Sequence, residues 1–233
     1  MSSPDVFERF RKMSTPLVAD AIIRLGLPAK IAPGGVGPLV AGSKFAGPVS
    51  PVVLNGYADR VLEGVYRSDA GDVLVLDNHG RSDEACFGDL AAYEARSQGL
   101  VGVVIWGRHR DSAELMEIGV PLFSYGPYPL GMQREYEAVD DPFARCRFGD
   151  VTVDRGELVF ADDDGVVFVP SGQIDAVIDA AEALRAAEQT QVDRIRAGTT
   201  LREQLQFDDY LRAKENDPTY TLGEHMKKLG RHF

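Results

Sequence analysis

The sequence predicts an α/β fold with a parallel β-α-β-α-β core. Two short apolar runs, 72–77 and 101–106, are bounded by turn residues, a pattern typical of strands covered on both faces. Between them, the stretch 88–99 opens at Gly-Asp, contains good helix formers and stops at Gln-Gly. A further helix over 111–118 and a strand over 120–124 extend the unit to five elements.

Composition and charge limit the classes of function. The 233 residues can form one α/β domain with a full core, perhaps with an appended element, and no apolar window approaches the length of a membrane span. The net charge of −11 argues against nucleic acid as a partner, because a phosphate backbone needs a basic surface. Two cysteines provide no disulfide framework, so we expect a protein of the reducing cytoplasm.

The N-terminal region is expected to be helical. Residues 4–13 have the apolar spacing of a short amphipathic helix. A second helix is predicted over 15–25, with Thr15 as its N-cap and Pro16 in its first turn.

The region before the core is expected to be irregular. Residues 31–42 are rich in glycine and proline and are interpreted as a loop. Residues 45–54 predict interrupted strands, which Pro48 and Pro51 should confine to sheet edges or bulges, because proline donates no ladder hydrogen bond. A helix is predicted over 58–66.

An antiparallel region should follow the core. Four short β-like runs are separated by turn residues, namely 143–148, 151–153, 158–160 and 166–169. The sequence Asp162-Asp-Asp-Gly165 resembles a calcium loop at first, but it lacks the remaining ligand spacing and the terminal glutamate. We interpret it as a turn between two strands.

The C-terminal part is expected to be helical, with its longest helix over 171–197. Highly charged helices are predicted over 199–211 and 221–229. We therefore divide the chain into a single domain, 1–198, and a helical extension, 199–233. Such an extension often packs on a neighbouring subunit, which predicts a homo-oligomer; a solvated tail is the alternative.

The chemistry is expected where Asp89, Arg110 and Asp111 meet. A helix of about eleven residues rises roughly 16 Å, and a strand of about six residues returns by nearly 20 Å. The helix start and the end of the second strand should therefore lie at one sheet edge, the carboxyl edge, where open α/β sheets bind ligands. The N–H groups of Asp89, Leu90 and Ala91 should point there, unpaired in the first helical turn and suited to an anion.

These residue types favour a hard cation and an anionic substrate. Carboxylate oxygens suit Mg²⁺ or Mn²⁺. The planar fork of Arg110 can bond both oxygens of a substrate carboxylate. The alternative is structural: Asp89 is only a helix cap, and Arg110 with Asp111 is only a loop ion pair.

The arrangement Gly88-Asp89, twenty residues, Arg110-Asp111 resembles the Asp-X20-Arg-Asp signature of the RraA-like family. That family includes class II pyruvate aldolases acting on 4-hydroxy-4-methyl-2-oxoglutarate and 4-carboxy-4-hydroxy-2-oxoadipate. The surrounding residues agree, namely Gly71-Asp-Val-Leu-Val-Leu-Asp-Asn, Gly102-Val-Val-Ile-Trp-Gly and Ala161-Asp-Asp-Asp-Gly-Val-Val-Phe-Val-Pro170. The resemblance covers roughly residues 13–198.

The resemblance implies a role for each site residue. Asp111 would bind the metal directly and Asp89 through ordered water. Arg110 and the amides of Gly88, Asp89, Leu90 and Ala91 would hold the substrate carboxylate. It also implies a layered β/β/α fold like that of swivelling phosphohistidine domains, assembled as a homotrimer or homohexamer.

The implied reaction is retro-aldol cleavage of a 4-hydroxy-2-oxo acid to pyruvate and a second oxo acid. The enolate that forms is the one that oxaloacetate gives on losing CO₂, so decarboxylase activity is a second expectation. The rival is a non-catalytic, protein-binding regulator resembling the regulator of ribonuclease E activity. Such members lack the metal-binding aspartate, so Asp111 favours the enzyme.

One departure from the family pattern is at the C-terminal side. Family aldolases place a glutamate of a neighbouring subunit near the metal, just after an Ala-Gly pair. Here Thr199 follows Ala197-Gly198, and the nearest acid is Glu203. Either Glu203 takes that role, or the metal shell and the substrate differ.

Other candidate residues are few. His79 and His109 follow strands near the crevice and are candidate acids or bases, although the family pattern needs neither. Cys86 has no clear base beside it in the sequence, so we interpret it as a small buried residue.

Overall fold

The structure is a computed structural model that describes residues 3–135, 137 and 139–230. It contains two compact units, Met1–Glu182 and Ala183–Phe233. Within the described residues the helices are α1 (Ser3–Phe10), α2 (Thr15–Arg24), α3 (Ala58–Tyr66), α4 (Asp89–Ser97), α5 (Ser112–Ile118), α6 (Ile174–Arg196), α7 (Leu201–Gln204), α8 (Phe207–Asn216) and α9 (Leu222–Lys228).

The strands of the described residues form three sheets. Their bounds are β1 (Lys30–Ile31), β2 (Gly37–Pro38), β3 (Phe45–Val53), β4 (Val73–Asp77), β5 (Ala85–Phe87), β6 (Gly102–Trp106), β7 (Arg108–His109), β8 (Leu122–Ser124), β9 (Arg145–Phe148), β10 (Val151–Asp154), β11 (Leu158–Asp162) and β12 (Gly165–Val169). The main sheet has the order β1-β12-β11-β3-β4-β6-β8-β2, while β9–β10 and β5–β7 form two small sheets.

The centre of the main sheet is the predicted parallel core. Strands β3, β4, β6 and β8 pair in parallel, and α3, α4 and α5 connect them in turn. All five residues of β4 are buried. The predicted β-α-β-α-β unit and the α/β fold class are therefore confirmed, and the carboxyl ends of β4 and β6 lie side by side because Asp77 pairs with Trp106.

Each face of the sheet has its own apolar layer. Alternate residues such as Leu74 and Ile105 pack with apolar residues of α3, α4 and α5. Their neighbours Val73, Val75 and Val104 pack with residues of β9, β10 and β12 on the other face. Since successive strand side chains point to opposite faces, one run of apolar residues fills both layers, and the layered β/β/α arrangement follows.

The prediction for residues 45–54 was wrong, because Pro48 and Pro51 lie in one continuous central strand, β3. Residues 45–48 pair with β11, whereas 49–53 pair with β4. The N–H groups of Val49 and Val53 point away from β4, to the carbonyls of Glu157 and Pro142. Backbone N–H groups alternate in direction along a strand, so the nitrogen of Pro51 also points away from β4. On that side of β3, β11 pairs only with residues 45–48 and not with Pro51. Each proline thus occupies a position at which the ladder needs no N–H.

The antiparallel region and its turn are confirmed. Strands β11 and β12 form a hairpin in which Asp162 pairs with Gly165. The Asp162 carboxylate accepts hydrogen bonds from the Thr15 backbone N–H and hydroxyl, at 2.8 and 2.6 Å. The N-cap of α2 is Ser14, and not Thr15 as predicted, because the hydroxyl of Thr15 is used in this long-range contact.

Several short strands were not predicted. The glycine- and proline-rich stretch 31–42, interpreted as a loop, contributes the last residue of β1 and all of β2, which pair with β12 and β8. Strands β5 and β7 form a small parallel sheet at the carboxyl edge of the main one. Strands of two or three residues have too little periodicity to stand out in a sequence.

The second unit consists of helices. Its buried residues include Leu205, Tyr210 and Met226, and Nε2 of His225 donates a hydrogen bond at 2.9 Å to the carbonyl of Leu205. The predicted helix over 199–211 is divided at Gln206, which has a left-handed backbone conformation (φ 48°). The second part of this region is the helix α8, in which Tyr210 is buried. Among the described helices, none has the length and apolar content needed to cross a lipid bilayer.

Candidate active site

The small sheet β5–β7 holds the two halves of the candidate site together. Ala85 pairs with Arg108, and Phe87 pairs with His109. The Arg110 N–H then donates to the Phe87 carbonyl at 3.0 Å. Gly88 is the residue after β5 and Arg110 is the residue after β7, so this pairing brings the start of α4 beside Arg110.

Asp111 completes the cluster. Its Oδ2 lies 3.4 Å from the backbone nitrogen of Asp89 and 3.4 Å from Nε of Arg110. Asp111 is the N-cap residue of α5, but its side chain forms no capping hydrogen bond. Its backbone is left-handed (φ 60°), a conformation that aspartate tolerates better than most residues. Asp89, Arg110 and Asp111 therefore converge as the sequence predicted.

Gly88 makes this convergence possible. A Cβ atom at this position would lie 2.4 Å from Oδ2 of Asp111 and 3.3 Å from Cγ of Arg110. Its backbone conformation is extended and open to any residue, so the need for glycine comes from space alone. The absent side chain makes room for the Asp111 carboxylate at the first turn of α4.

The prediction that the N–H groups at the start of α4 are all unpaired was wrong, because two of the three have a carboxylate acceptor. Asp89 donates to Asp111, and the Leu90 N–H donates to Oδ1 of Asp89 at 2.7 Å. The first backbone bond into the helix is from Ala92 to Gly88. Within the described part of the chain, the Ala91 N–H has no acceptor. Two carboxylates thus already lie at the positive end of the helix dipole, and one N–H remains for a ligand.

The cluster adjoins a cleft of about 630 Å³. Gly88, Asp89, Leu90, Ala91 and Arg110 line one wall of this cleft. The facing walls come from the start of α3 and from residues 129–133. The guanidinium of Arg110 passes close to Gly131, where a Cβ would lie 2.9 Å from Nη1. Half of the Arg110 side chain is exposed, so the charge is accessible to a ligand.

The walls of the cleft were missed by sequence reasoning. Neither the stretch 123–131 nor the helix predicted over 58–66 was assigned a residue of the site. A loop dense in proline, glycine and aromatic residues directly after a parallel strand was the available signal, since loops at this sheet edge carry ligand contacts.

The structure gives His109 and His79 local partners. His109 is buried, and its ring nitrogens lie 2.7 and 3.0 Å from the hydroxyls of Ser124 and Ser112. Burial lowers the pKa of His109, so it is neutral at pH 7. His79 Nε2 lies 3.0 Å from the Leu54 carbonyl. Neither histidine lines the cleft described above.

Cys86 is buried, as predicted, and its Sγ forms no disulfide. Burial raises the pKa of its thiol far above the usual range, so the thiol stays protonated at pH 7. A protonated thiol is a poor nucleophile.

Glu203 takes part in capping the N-terminus of its own helix, α7. Its carboxylate accepts the Thr200 backbone N–H at 2.8 Å and the Thr200 hydroxyl at 2.9 Å, forming a capping box. These hydrogen bonds hold the pKa of Glu203 below its ordinary value. The carboxylate therefore has a structural role within the second unit.

The donor atoms around Gly88 suit a hydrated cation. Within the described residues there is no group of three or more His, Cys, Asp and Glu side chains that could enclose a metal. Mg²⁺, however, usually keeps several waters and binds through one or two carboxylates. Asp89 and Asp111 supply two carboxylates, and the space that a Cβ at position 88 would fill lies against Oδ2 of Asp111. The residues present thus fit such a cation.

Fold and site together define a class: an α/β protein with an acidic pair and an arginine beside a cleft at the carboxyl edge of its parallel strands. Within that class the chain belongs to the RraA-like family, because the family model described as Aldolase/RraA matches residues 15–168. Asp89, Arg110 and Asp111 all lie inside the matched region.

Individual relatives agree with this assignment. Protein DlpA of Legionella pneumophila is 26% identical over 86% of this chain, which spans only 33% of the length of that protein. A protein of Halorhodospira halophila named "Putative 4-hydroxy-4-methyl-2-oxoglutarate aldolase" is 34% identical over 54% of this chain and 75% of its own length. Among solved structures, RraAS2 of Streptomyces coelicolor is 28% identical, with a TM-score of 0.69, over 80% of this chain and 94% of its own.

Proposed function

We propose that this chain is a divalent-metal-dependent lyase that cleaves a 4-hydroxy-2-oxo acid to pyruvate and a second oxo acid. The observation that carries the proposal is the meeting of Asp111, Arg110 and the start of α4 beside one cleft. The relatives named as aldolases support the lyase class.

Each charged residue has a role in this proposal. Arg110 binds the carboxylate of the substrate through its planar fork, aided by the unpaired N–H of Ala91. Asp111 would hold Mg²⁺ or Mn²⁺ directly, and Asp89 would hold it through ordered water. When bound, such a cation would stabilise the negative charge that develops on the 2-oxo oxygen.

The reaction breaks the bond between C3 and C4. The C4 hydroxyl loses its proton and becomes a carbonyl, while the bonding pair moves to C3 and gives the enolate of pyruvate. Asp89 lines the cleft and has Oδ1 fixed by the Leu90 N–H, so its carboxylate can take the hydroxyl proton, directly or through water. Protonation of C3 then gives pyruvate.

The same residues support decarboxylation of oxaloacetate. Loss of CO₂ from C4 leaves its electron pair on C3, which is again the enolate of pyruvate. The requirement for charge stabilisation at the 2-oxo oxygen is unchanged. We therefore propose oxaloacetate decarboxylation as a side activity.

A protein-binding regulator is the second candidate. The observation that favours it is the similarity to RraAS2, described as an unusual member of the RNase ES inhibitor RraA protein family. A regulator needs no metal and no cleft chemistry. Asp111 beside Arg110 favours the enzyme, since a regulator has no use for an acidic pair at a helix N-terminus.

Assembly and location complete the proposal. We propose a cytoplasmic homotrimer or homohexamer, with 1–198 as the catalytic domain and 199–233 as an extension that packs on a neighbouring subunit. The two free, buried cysteines are consistent with a reducing compartment. Light scattering coupled to size exclusion measures the assembly, and a monomer at micromolar concentration would contradict it.

Pyruvate release tests the proposed activity. The purified chain is incubated with 4-hydroxy-2-oxo acids and with oxaloacetate, in Mg²⁺ or Mn²⁺ and in excess chelator. We expect pyruvate with either metal, and none above background in chelator. The Asp111→Ala variant should lose more than about 100-fold in rate, since even outer partners of a metal site contribute 10- to 100-fold. Absence of pyruvate from every substrate would favour the regulator.

A further inference from the structure

His109 directly precedes the Arg110–Asp111 pair, is buried, and lies outside the set of residues that line the cleft. Its two ring nitrogens have different partners. Nδ1 lies 2.7 Å from the hydroxyl of Ser124, the last residue of β8. Nε2 lies 3.0 Å from the hydroxyl of Ser112, the first residue of α5. The ring therefore joins the end of a strand of the main sheet to the start of the helix that follows Asp111.

The bond to Ser124 fixes the orientation of the ring. The Ser124 hydroxyl is buried and accepts the N–H of Gly126 at 2.9 Å, so it is itself held in place. A neutral imidazole donates at one nitrogen and accepts at the other, and a hydroxyl group can serve in either role. Both ring bonds can therefore form at once, and the ring presents Nε2 to Ser112 from a fixed position.

The backbone of β7 has anchors of its own. On one side of the strand the Arg110 N–H donates to a carbonyl of β5 at 3.0 Å. On the other side the His109 N–H donates to the Gly126 carbonyl at 3.3 Å, and the His109 carbonyl accepts the Tyr128 N–H at 2.8 Å. These backbone bonds end at Arg110, so they do not explain what holds the residues after it.

The bond from the ring to Ser112 spans the turn that presents Asp111. It closes residues 109–112 into a loop, with Arg110 and Asp111 between its ends. Asp111 has a left-handed backbone, which a residue with a Cβ atom adopts at a cost and which surrounding contacts must maintain. On the C-terminal side of this turn the contacts are the ring bond to Ser112 and the backbone bond from the Leu115 N–H to the Asp111 carbonyl.

We infer that His109 is a positioning residue: its ring holds Ser112 and, through that residue, the turn that places the Asp111 carboxylate at the start of α4. This inference rests on the proposed function, in which Asp111 binds the cation. It gives a role to a residue that the family pattern does not require. Groups that orient a metal-binding side chain typically contribute about 10- to 100-fold to metal affinity or activity.

Two substitutions of His109 separate its two bonds. A side-chain amide can replace a ring nitrogen as donor or acceptor. Asparagine reaches only as far as Nδ1, so His109→Asn keeps the bond to Ser124 and loses the bond to Ser112. Glutamine is longer by one methylene group and reaches the place of Nε2, so His109→Gln keeps the bond to Ser112. A role confined to packing predicts similar losses in the two variants.

Metal affinity gives a readout that does not depend on turnover. Mn²⁺ is titrated calorimetrically into the full chain without substrate, and circular dichroism establishes that each variant is folded. We expect His109→Asn to bind Mn²⁺ at least about tenfold more weakly than the wild type, and His109→Gln to lie closer to the wild type. Equal losses in the two variants, or a larger loss in His109→Gln, overturn the inference.

Substitutions of the half-buried Ser112 test the same bond and leave the ring in place. Ser112→Ala removes the hydroxyl, and the matched control Ser112→Thr keeps it. Mn²⁺ affinity should fall at least about tenfold in the first variant and stay near that of the wild type in the second. Combining Ser112→Ala with His109→Asn should cost no more than the larger single loss, because both remove one bond. Wild-type affinity in Ser112→Ala, or additive losses, contradict the inference.

Kinetics separate this role from substrate binding. At saturating Mn²⁺, with the substrate that the wild type cleaves fastest, His109→Asn and Ser112→Ala should lower kcat for pyruvate release at least about tenfold. KM should change less, because the Arg110 N–H keeps its bond to β5. A raised KM with unchanged kcat would place the effect at Arg110 and overturn the inference.

Failure of the inference differs from failure of the proposed function. Variants that match an active wild type in kcat and Mn²⁺ affinity overturn the inference and leave the lyase proposal standing. A wild type that releases no pyruvate overturns the lyase proposal, and the Mn²⁺ affinities of the variants still decide the role of His109. A wild type that also binds no Mn²⁺ overturns both.

Discussion

Helices α7 and α9 begin differently from helix α4. At α7 and α9 a threonine N-cap and a glutamate three residues later exchange hydrogen bonds, at Thr200 with Glu203 and at Thr221 with Glu224. At α4 the N-cap is Gly88, which has no side chain to offer. Instead, the Asp111 carboxylate accepts the N–H of Asp89, and the Asp89 carboxylate accepts the N–H of Leu90.

The difference shows how a stable helix end differs from a reactive one. A capping box satisfies the orphan N–H groups with neighbouring side chains, and its carboxylate is then fully used. At α4 the second acid comes from 22 residues along the chain, and Arg110 lies beside it. This long-range cap leaves a guanidinium and one N–H accessible, which suits an anion and a cation together.

The largest effect is expected from filling the space at Gly88. Gly88→Ala places a methyl group 2.4 Å from Oδ2 of Asp111, so the carboxylate must move. We expect more than about 100-fold loss of pyruvate release, since misplacement by about 1 Å can cost that much. The matched control is Gly223→Ala in α9, where the nearest atom is 3.9 Å away. It should leave activity unchanged and stabilise the helix by about 0.5–1 kcal/mol, measured by urea unfolding. Equal activity in both variants would show that activity does not depend on the absence of a side chain at position 88.

Removing the Arg110 guanidinium beside the start of α4 should weaken substrate binding. Arg110→Ala removes a charged hydrogen bond of about 1.5–3 kcal/mol, so KM should rise by roughly 10- to 150-fold. Arg110→Lys keeps the charge but loses the planar fork, so its KM should lie between that of the wild type and that of Arg110→Ala. Steady-state kinetics separate KM from kcat. A fall in kcat with unchanged KM would place Arg110 in the bond-breaking step instead of in binding.

Breaking a capping box should change stability and leave chemistry alone. Thr221→Ala removes the acceptor of the Glu224 N–H and should cost about 1 kcal/mol in the free energy of unfolding. Circular dichroism with urea unfolding measures this loss. The rate of pyruvate release should be unchanged, and a rate loss larger than the stability loss explains would connect α9 to the site.

The smallest effect is expected from pH. Hydrogen bonds from their threonine N-caps lower the pKa of Glu203 and of Glu224. Their stabilising contribution is therefore complete above the ordinary glutamate pKa and is lost as pH falls through the lowered values. Helical circular dichroism should decline slightly over that acidic range. Glu203→Gln should remove part of the decline, and an unchanged decline would contradict the structural role of Glu203.

The sequence determined the core around α4 because its signals are local and strong. Two apolar runs and one helix predicted β4, α4 and β6, and simple geometry then brought the start of α4 to Arg110 and Asp111. The expectation failed at Pro48 and Pro51, where exchange of strand partners along β3 makes a missing N–H harmless. The sequence also could not predict that the Asp111 carboxylate occupies an N–H group of α4, because its position depends on the left-handed backbone of Asp111.

Manganese binding tests the central claim most directly. Calorimetric titration of Mn²⁺ into the protein, without substrate, compares the wild type with Asp111→Ala. We predict one Mn²⁺ per chain for the wild type and an affinity more than about 100-fold weaker for the variant. In the absence of metal the variant should keep the circular dichroism spectrum of the folded wild type, with a somewhat lower unfolding midpoint, since alanine fits the left-handed backbone of position 111 less well than aspartate does. Equal Mn²⁺ affinity in the two proteins would contradict the assignment of Asp111 as a metal ligand.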